Sequence, residues 1–159
     1  DGWHRTQPDG ILTGMVAQLG WQPYQDPDDP WIFNIPASTL LETARHFQAK
    51  LNASNLRYLG PEDLPCRRVA FLPGSIWEKW QINALSKADV LAAGEANEWS
   101  VVEFARDSQS LGKPKGLILI GHVSSEEGGM AYLGEWLRER IPGLPITHIP
   151  AGPPPVKTL

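Results

Sequence analysis

Apolar residues along this chain fall either at helical spacing or in short continuous runs, and the two patterns predict different elements. Near the start, apolar residues at helical spacing predict a helix that Asp9 caps and Gly20 ends. Thr39 and Glu42 have the spacing of a capping box and predict a second helix. The segment 22–30 between them contains three prolines and three aspartates, so we expect an exposed loop there.

From residue 68 to residue 150, predicted strands alternate with predicted helices. Short apolar runs bounded by turn residues are typical of strands that are buried on both faces, as in parallel sheets. The alternation favours an α/β fold with a mixed, largely parallel sheet that helices flank. Along the whole chain we predict strands at 31–35, 56–59, 68–72, 88–93, 117–120 and 145–149, further helices at 76–85, 97–108 and 125–140, and a proline-rich tail at 153–155.

One of these strands leads directly into a candidate binding site. The apolar run 117–120 stops at Gly121, and His122 and Glu126 follow four residues apart. Because ligands of open α/β sheets bind where the strands end, both side chains can turn toward one point at that edge. Imidazole nitrogen and carboxylate oxygen bind Zn, Mn or Fe, so the pair could ligate a metal. Alternatively, Glu126 only favours the helix dipole and His122 is a hydrogen-bonded histidine at a strand end.

Other polar residues could join or support this site. Glu95 follows the preceding strand, so it should emerge near His122 if the two strands are neighbours in the sheet. There it could bind a water, bridge metals or act as a general base, or it could be a first-turn helix carboxylate with no further role. His4 could reach the site only if the fold brings the N-terminus back. Ser124 and Glu127 have capping-box spacing, so we expect Glu127 to cap the last helix.

Composition narrows the classes of function. The chain has 159 residues, a net charge of −4 and no long basic cluster, which disfavours nucleic-acid binding by a charged face. No apolar stretch approaches the roughly 20 residues of a membrane-spanning helix. The single cysteine, Cys66, fits a reducing compartment, and we expect a cytoplasmic protein. Seven tryptophans indicate bulky core filling or an aromatic contact surface, and the core interpretation is favoured.

Two motifs together carry a resemblance to a known family. Gly94-Glu95 at the end of an aspartate-containing strand, followed by Gly121-His122 with Ser125 and Glu126, resembles the C-terminal half of the Nif-three-like dinuclear metal proteins. Members of that family are often named GTP cyclohydrolase type-2 homologues, and they carry a Gly-His-x-x-Thr/Ser-Glu motif whose histidine and glutamate bind metal.

The resemblance assigns roles to individual residues. It implies that His122 and Glu126 are metal ligands and that Glu95 is a catalytic pocket residue that positions or deprotonates a water. The aspartate of an upstream His-x-x-x-Asp motif in the family would fall on His4, which becomes a further candidate ligand, with Asp1 as a weaker substitute. A histidine pair that supplies the family's remaining ligands has no counterpart in this sequence.

The resemblance also implies an architecture and an activity. The family has two related α/β halves, a dinuclear site between them and a ring-shaped hexamer. We therefore expect residues 1–30 to end an N-terminal half and residues 31–159 to form the C-terminal α/β domain of a longer homo-oligomeric protein that begins before Asp1. The expected function is a hydrolase with two divalent ions (Zn, Fe or Mn) acting on a small nucleotide-like substrate. The alternatives are a non-catalytic metal-binding scaffold or regulatory partner, and an α/β binding domain of another kind.

Overall fold

The computed structural model describes residues 2–152, which form a sheet with helices on both faces. Short 3-10 helices lie at Trp3–Arg5 and Gln22–Tyr24, and a π-helical segment lies at Glu98–Val102. The strands are β1 (Ile32–Thr39), β2 (Arg57–Leu59), β3 (Pro65–Leu72), β4 (Val90–Ala93) and β5 (Gly116–Leu119), and the α-helices are α1 (Gly10–Leu19), α2 (Leu40–Leu51), α3 (Glu78–Lys87), α4 (Glu103–Ser110) and α5 (His122–Arg140).

The five strands form one mixed sheet in the order β1-β3-β4-β5-β2. The three central strands, β3, β4 and β5, are parallel, whereas β1 and β2 are antiparallel to their neighbours at the two edges. The expected α/β fold with a mixed sheet is therefore confirmed. Because the central strands are parallel and adjacent, the loops that follow them leave the sheet at the same edge.

Alternate residues of the central strands enter two separate hydrophobic cores. Val90 and Ala92 of β4 pack in the core with α1 and α2, while Leu91 and Ala93 pack in the core with α3 and α4. All four residues are fully buried. The strand is therefore covered on both faces, which explains its unbroken apolar sequence.

The last helix, α5, packs closely against α1. A β-carbon at Gly14 would collide with the backbone of Gly128 and Gly129, and one at Gly129 would collide with the backbone of Ile11. Small residues on both helices therefore allow a backbone-to-backbone approach. This packing fixes α5, whose first turn carries the candidate ligands, relative to the N-terminal segment.

Capping geometry confirms the two helices that the sequence marked most clearly. The Asp9 carboxylate accepts a hydrogen bond from Leu12 N, and Gly20 ends α1 in the left-handed conformation. Thr39 and Glu42 form the expected capping box at the start of α2.

Two expectations about secondary structure are wrong, and one holds only in part. Residues 145–149 form no strand; Arg138 of α5 instead donates a hydrogen bond to the Ile146 carbonyl. The predicted helix 97–108 is present, but its first part is a π-helical segment that continues directly into α4. The last helix begins at His122, so Ser124 lies inside it and Glu127 does not cap it. The proline-rich tail at 153–155 lies outside the described residues.

The tryptophans do not all fill the core. Trp21 is buried, and Trp3 and Trp31 pack partly buried against the core. By contrast, Trp77 and Trp99 are about three-quarters exposed, at 73% and 74%. The prediction that the tryptophans fill the core is therefore wrong for Trp77, for Trp99 and for Trp80, which is also exposed.

Within residues 2–152, no helix combines the length and the apolar character that crossing a bilayer requires.

Candidate functional site

Three loops that follow the parallel strands meet at the carboxyl edge of the sheet. Glu95 N donates a hydrogen bond to the Gly74 carbonyl at 2.9 Å, and Gly121 N donates to the Gly94 carbonyl at 3.0 Å. The first bond links the loop after β3 to the loop after β4. The second links the loop after β4 to the start of α5. The side chains of Glu95 and His122 are thereby placed on neighbouring loops, as the sequence predicts for adjacent strands.

A buried serine connects the loop after β3 to the start of α5. Ser125 is fully buried, and its hydroxyl accepts a hydrogen bond from Gly74 N at 2.9 Å while donating to the His122 carbonyl at 2.7 Å. Gly74 has a φ of 69°, and a β-carbon there would overlap the carboxylate of Glu126. The glycine therefore provides both the backbone conformation and the space that this junction requires.

His122 lies between two carboxylates. Its Nδ1 is 2.9 Å from Oε1 of Glu95, and its Nε2 is 3.5 Å from Oε2 of Glu126, one helical turn away. An ionised carboxylate can only accept, so the contact with Glu95 places a proton on Nδ1. The other ring nitrogen, Nε2, faces the carboxylate of Glu126.

His4 repeats this arrangement from the other side. Its Nε2 is 3.1 Å from Oε1 of Glu126, and its Nδ1 is 3.0 Å from Oδ2 of Asp9. Burial lowers the pKa of His4, but the hydrogen bonds with Asp9 and Glu126 outweigh it and raise the pKa above its usual 6.5. Each oxygen of Glu126 therefore faces the Nε2 atom of a different histidine.

Trp3 brings His4 to this position. The indole Nε1 of Trp3 donates a hydrogen bond to the Gly129 carbonyl at 2.9 Å, and its ring lies 5.8 Å from the ring of Tyr132 and 5.3 Å from that of Trp136. Gly10 leaves room for the indole, because a β-carbon there would overlap it. The N-terminal segment is thus docked on α5 by an aromatic cluster.

The structure brings together all four described candidate residues, namely His4, Glu95, His122 and Glu126. They form a chain of contacts rather than a cage: within residues 2–152, no group of three or more His, Cys, Asp or Glu side chains is arranged to hold a metal ion. Asp1 lies outside the described residues.

Asp9 is the site residue that the sequence analysis missed. Its carboxylate both caps α1 through Leu12 N and accepts from His4, with Oδ1 and Oδ2 serving the two roles. The cap was predicted from the sequence, and the second role was not. The sequence did contain a signal for this contact. The spacing between His4 and Asp9 is one residue longer than the spacing between histidine and aspartate in the His-x-x-x-Asp motif.

The other two histidines and the cysteine make contacts that support the fold. His148 Nε2 lies 2.8 Å from Oε1 of Glu127 and holds the C-terminal segment on α5. His46 stacks on Trp21, with ring centroids 5.5 Å apart. Cys66 is fully buried, and burial raises the pKa of its thiol to about 11.

Comparison with known proteins identifies the family of this chain. The sequence profile of the family Duf34/NIF3 (NGG1p interacting factor 3) matches residues 29–155. The chain belongs to the Duf34/NIF3 family. No curated protein matches the chain significantly.

Solved structures support the NIF3 assignment. The chain is similar to a Bacillus cereus protein related to NIF3, with 26% identity, a TM-score of 0.56 and 69% of the chain covered. It also shares the fold of the Staphylococcus aureus hypothetical protein SA1388, with 23% identity, a TM-score of 0.61 and 80% coverage. The Thermus thermophilus protein TTHA1606 matches with 20% identity, a TM-score of 0.60 and 89% coverage.

The present chain is shorter than these three proteins. Its aligned part spans 28% of the Bacillus cereus protein, 42% of the Staphylococcus aureus protein and 54% of the Thermus thermophilus protein.

Proposed function

We propose that Glu126 bridges two divalent metal ions, one held together with His122 and the other with His4. One observation carries this proposal: the two histidines present their Nε2 atoms to different oxygens of the same carboxylate, at 3.5 Å and 3.1 Å. A bridging carboxylate of this kind is what a dinuclear centre needs to hold two ions close together.

The distances suit donors that share an ion. Two donors that each bind a tetrahedral ion at about 2.1 Å lie about 3.4 Å apart. The His122–Glu126 separation of 3.5 Å is close to that value, and the His4–Glu126 separation of 3.1 Å requires only a small adjustment.

The outer contacts of both histidines support the same proposal. Histidines that ligate metals commonly donate their other ring N–H to a carboxylate, which fixes the ring orientation. Glu95 plays this part for His122 at 2.9 Å, and Asp9 plays it for His4 at 3.0 Å. Asp9 also provides a carboxylate next to His4 that would be available to a metal ion held there.

The described residues alone do not complete such a centre. Each ion would have two ligands from residues 2–152, whereas zinc sites have three or four protein ligands. The missing ligands would come from another part of the protein or from another subunit of a homo-oligomer. Imidazole and carboxylate donors suit Zn, Fe or Mn.

The chemistry that we propose is hydrolysis of a small, nucleotide-like substrate. Metal ions bound at Glu126 would supply an acidified water and polarise the substrate. Glu95 is half exposed, and with His122 it lines a cavity of about 440 Å³ at the carboxyl edge of the sheet. Its carboxylate holds the Nδ1 proton of His122 and is exposed enough to accept a proton from water in that cavity.

Metal content measured by elemental analysis of the full-length protein tests this function. Glu126→Gln should remove most of the bound metal, while Glu127→Gln, its neighbour on the same helix, should leave the metal content unchanged because Glu127 contacts His148 instead. Likewise His122→Ala should lose metal and His148→Ala should keep it. Equal metal content in all four variants would refute the proposed centre.

Turnover is measured separately on the metal-loaded protein. Hydrolysis of GTP or of simple phosphoesters that Glu95→Gln abolishes would support the enzyme. Full metal occupancy without turnover in a broad substrate screen would instead favour a metal-binding scaffold.

A further inference from the structure

The segment 146–151, which we call the strap, lies on α5 without forming regular secondary structure. Arg138 donates a hydrogen bond from Nε to the first carbonyl of the strap at 3.2 Å. The Glu127 carboxylate holds two more groups: its Oε1 lies 2.8 Å from Nε2 of His148, and its Oε2 accepts a hydrogen bond from Ala151 N at 3.1 Å. The strap is therefore fastened at both ends, and one carboxylate makes both contacts near the candidate centre.

Polar contacts, and not a hydrophobic core, hold the strap in place. None of the residues 141–152 is buried, and the side chains of Leu144 and Ile149 are 56% and 83% exposed. Segments that bury few apolar side chains open locally at a small cost in free energy. The strap can therefore leave α5 while the rest of the fold stays intact.

The strap forms one wall of a cavity of about 280 Å³ at the candidate centre. Three strap residues line the cavity on one side, and His122 and Glu126 line it on the other. A second cavity at His122, which Glu95 also lines, does not include Glu126. An ion between His122 and Glu126 would therefore adjoin the cavity that the strap covers.

The ion proposed at His4 adjoins a different cavity. His4 and Asp9 line a cavity of about 370 Å³ between the N-terminal segment, α1 and the loop 22–30, and the strap contributes no residue to its lining. The strap therefore faces one of the two proposed ions.

We propose that the strap is a movable cover on the His122 side of the centre, and that Glu127 and His148 hold it closed. The closed strap slows the exchange of the ion at His122 with solvent. It leaves the metal content at equilibrium unchanged, because neither Glu127 nor His148 is a proposed ligand. The inference rests on the proposed function for the ion, whereas the cover itself is measurable in the metal-free protein.

A disulfide that ties the strap to α5 provides the sharpest test. A β-carbon on Gly134 would lie 3.8 Å from the β-carbon of His148, a separation that is usual for disulfides. Gly134→Cys combined with His148→Cys, once oxidised, should keep the strap closed. Gly134→Ser combined with His148→Ser is the matched control, because it introduces side chains of similar size, removes the same contact with Glu127 and forms no crosslink.

The first measurement is the rate at which zinc passes from the loaded full-length protein to an excess of chelator. One release phase should be about tenfold slower in the oxidised cysteine pair than in the serine pair, because the crosslink prevents local opening. The serine pair and Glu127→Ala should release that ion about threefold faster than the unaltered protein, since the hydrogen bonds that hold the strap are lost.

Glu135→Ala is the control for Glu127→Ala. Glu135 is exposed on the same helix and does not line the cavity, so this variant should release zinc at the unaltered rate. Equal rates of zinc release in the crosslinked pair and the serine pair would overturn the cover.

The second measurement needs no metal. It is the rate at which diethyl pyrocarbonate modifies His122, followed by peptide mass spectrometry. Modification of His122 should be slower in the oxidised cysteine pair than in the serine pair. Modification of His46, which stacks on Trp21, should proceed equally in both. Equal modification of His122 in the two pairs would contradict the proposed cover.

The two proposals fail separately. A full-length protein that binds no metal would refute the metal centre, and the modification rate of His122 would then decide the cover by itself. Normal metal content with equal zinc release in the crosslinked pair and the serine pair would overturn only the cover.

Discussion

Gly74 lies directly against the carboxylate of Glu126, so closely that a β-carbon on Gly74 would overlap Oε1 and come within 3.4 Å of His122 Nε2. Gly74→Ala should therefore push the Glu126 side chain out of its position between the two histidines. We expect metal affinity to fall at least tenfold, because a dislodged carboxylate cannot hold either ion. Calorimetric titration of the variant with Zn²⁺ measures this loss.

Gly112→Ala is the matched control for this substitution. Gly112 has the same φ of 69°, but no atom lies within 4 Å of its would-be β-carbon. Both variants should lose about 1–2 kcal/mol of folding free energy from the strained backbone. Only Gly74→Ala should lose metal, and an equal loss of metal affinity in both variants would show that contact with Glu126 is unimportant.

Ser125 holds the loop after β3 against the start of α5, and Ser125→Ala should destabilise the fold. The substitution leaves the Gly74 N–H buried without its acceptor, which should cost about 1–3 kcal/mol. Urea unfolding measures the change. Ser86→Ala removes a hydroxyl that bonds only to the exposed Asn83 carbonyl and should cost much less. Equal costs in the two variants would contradict the structural role of Ser125.

Substitutions of Trp3 and of His4 should affect metal binding through the same contact. Trp3→Ala removes the hydrogen bond to Gly129 and the ring contacts that dock the N-terminal segment. It should therefore weaken metal binding about as much as His4→Ala does. In a double-mutant cycle, Trp3→Ala should add little further loss to His4→Ala. Fully additive losses would indicate that Trp3 does not position His4.

Most of the fold could be predicted from local patterns. The caps at Asp9, Gly20 and Thr39 are local signals, and the structure confirms them. The predicted strand at 145–149 failed because strand formation depends on a partner. The β5 edge is already occupied by β2, and the segment instead contacts α5, where Arg138 donates to the Ile146 carbonyl and Glu127 pairs with His148.

The candidate site was only partly visible in the sequence. His122 and Glu126 are one helical turn apart, and Glu95 follows the adjacent strand, so local spacing was enough to place these three together. His4 is 122 residues from Glu126, and its approach depends on how Trp3 packs on α5. No short-range pattern carries that information. The second role of Asp9 was missed for a different reason: its role as a helix cap already accounted for the residue, and its spacing from His4 is one residue longer than in the His-x-x-x-Asp motif.

Cys66 should be protected from thiol reagents in the folded protein. Burial raises the pKa of its thiol from 9.0 to about 11, so the folded state disfavours the thiolate. The stability contributed by the buried neutral thiol is then fully present below about pH 9 and is lost as the pH rises toward 11.

Ellman's reagent at pH 8 measures this protection. Labelling should be slow in native buffer and fast in urea, and because Cys66 is the only cysteine of the chain, the signal comes from it alone. Rapid labelling of the native protein would contradict the burial of Cys66.

The central claim is that Glu126 bridges two ions, each bound by Nε2 of one histidine. The most direct measurement is an anomalous-scattering map at the metal absorption edge, from crystals of the full-length, metal-loaded protein. Two peaks should appear, one about 2.1 Å from Nε2 of His122 and one about 2.1 Å from Nε2 of His4, each next to a different oxygen of Glu126. A map without a peak at either nitrogen, or with metal bound through Nδ1, would contradict the proposed centre.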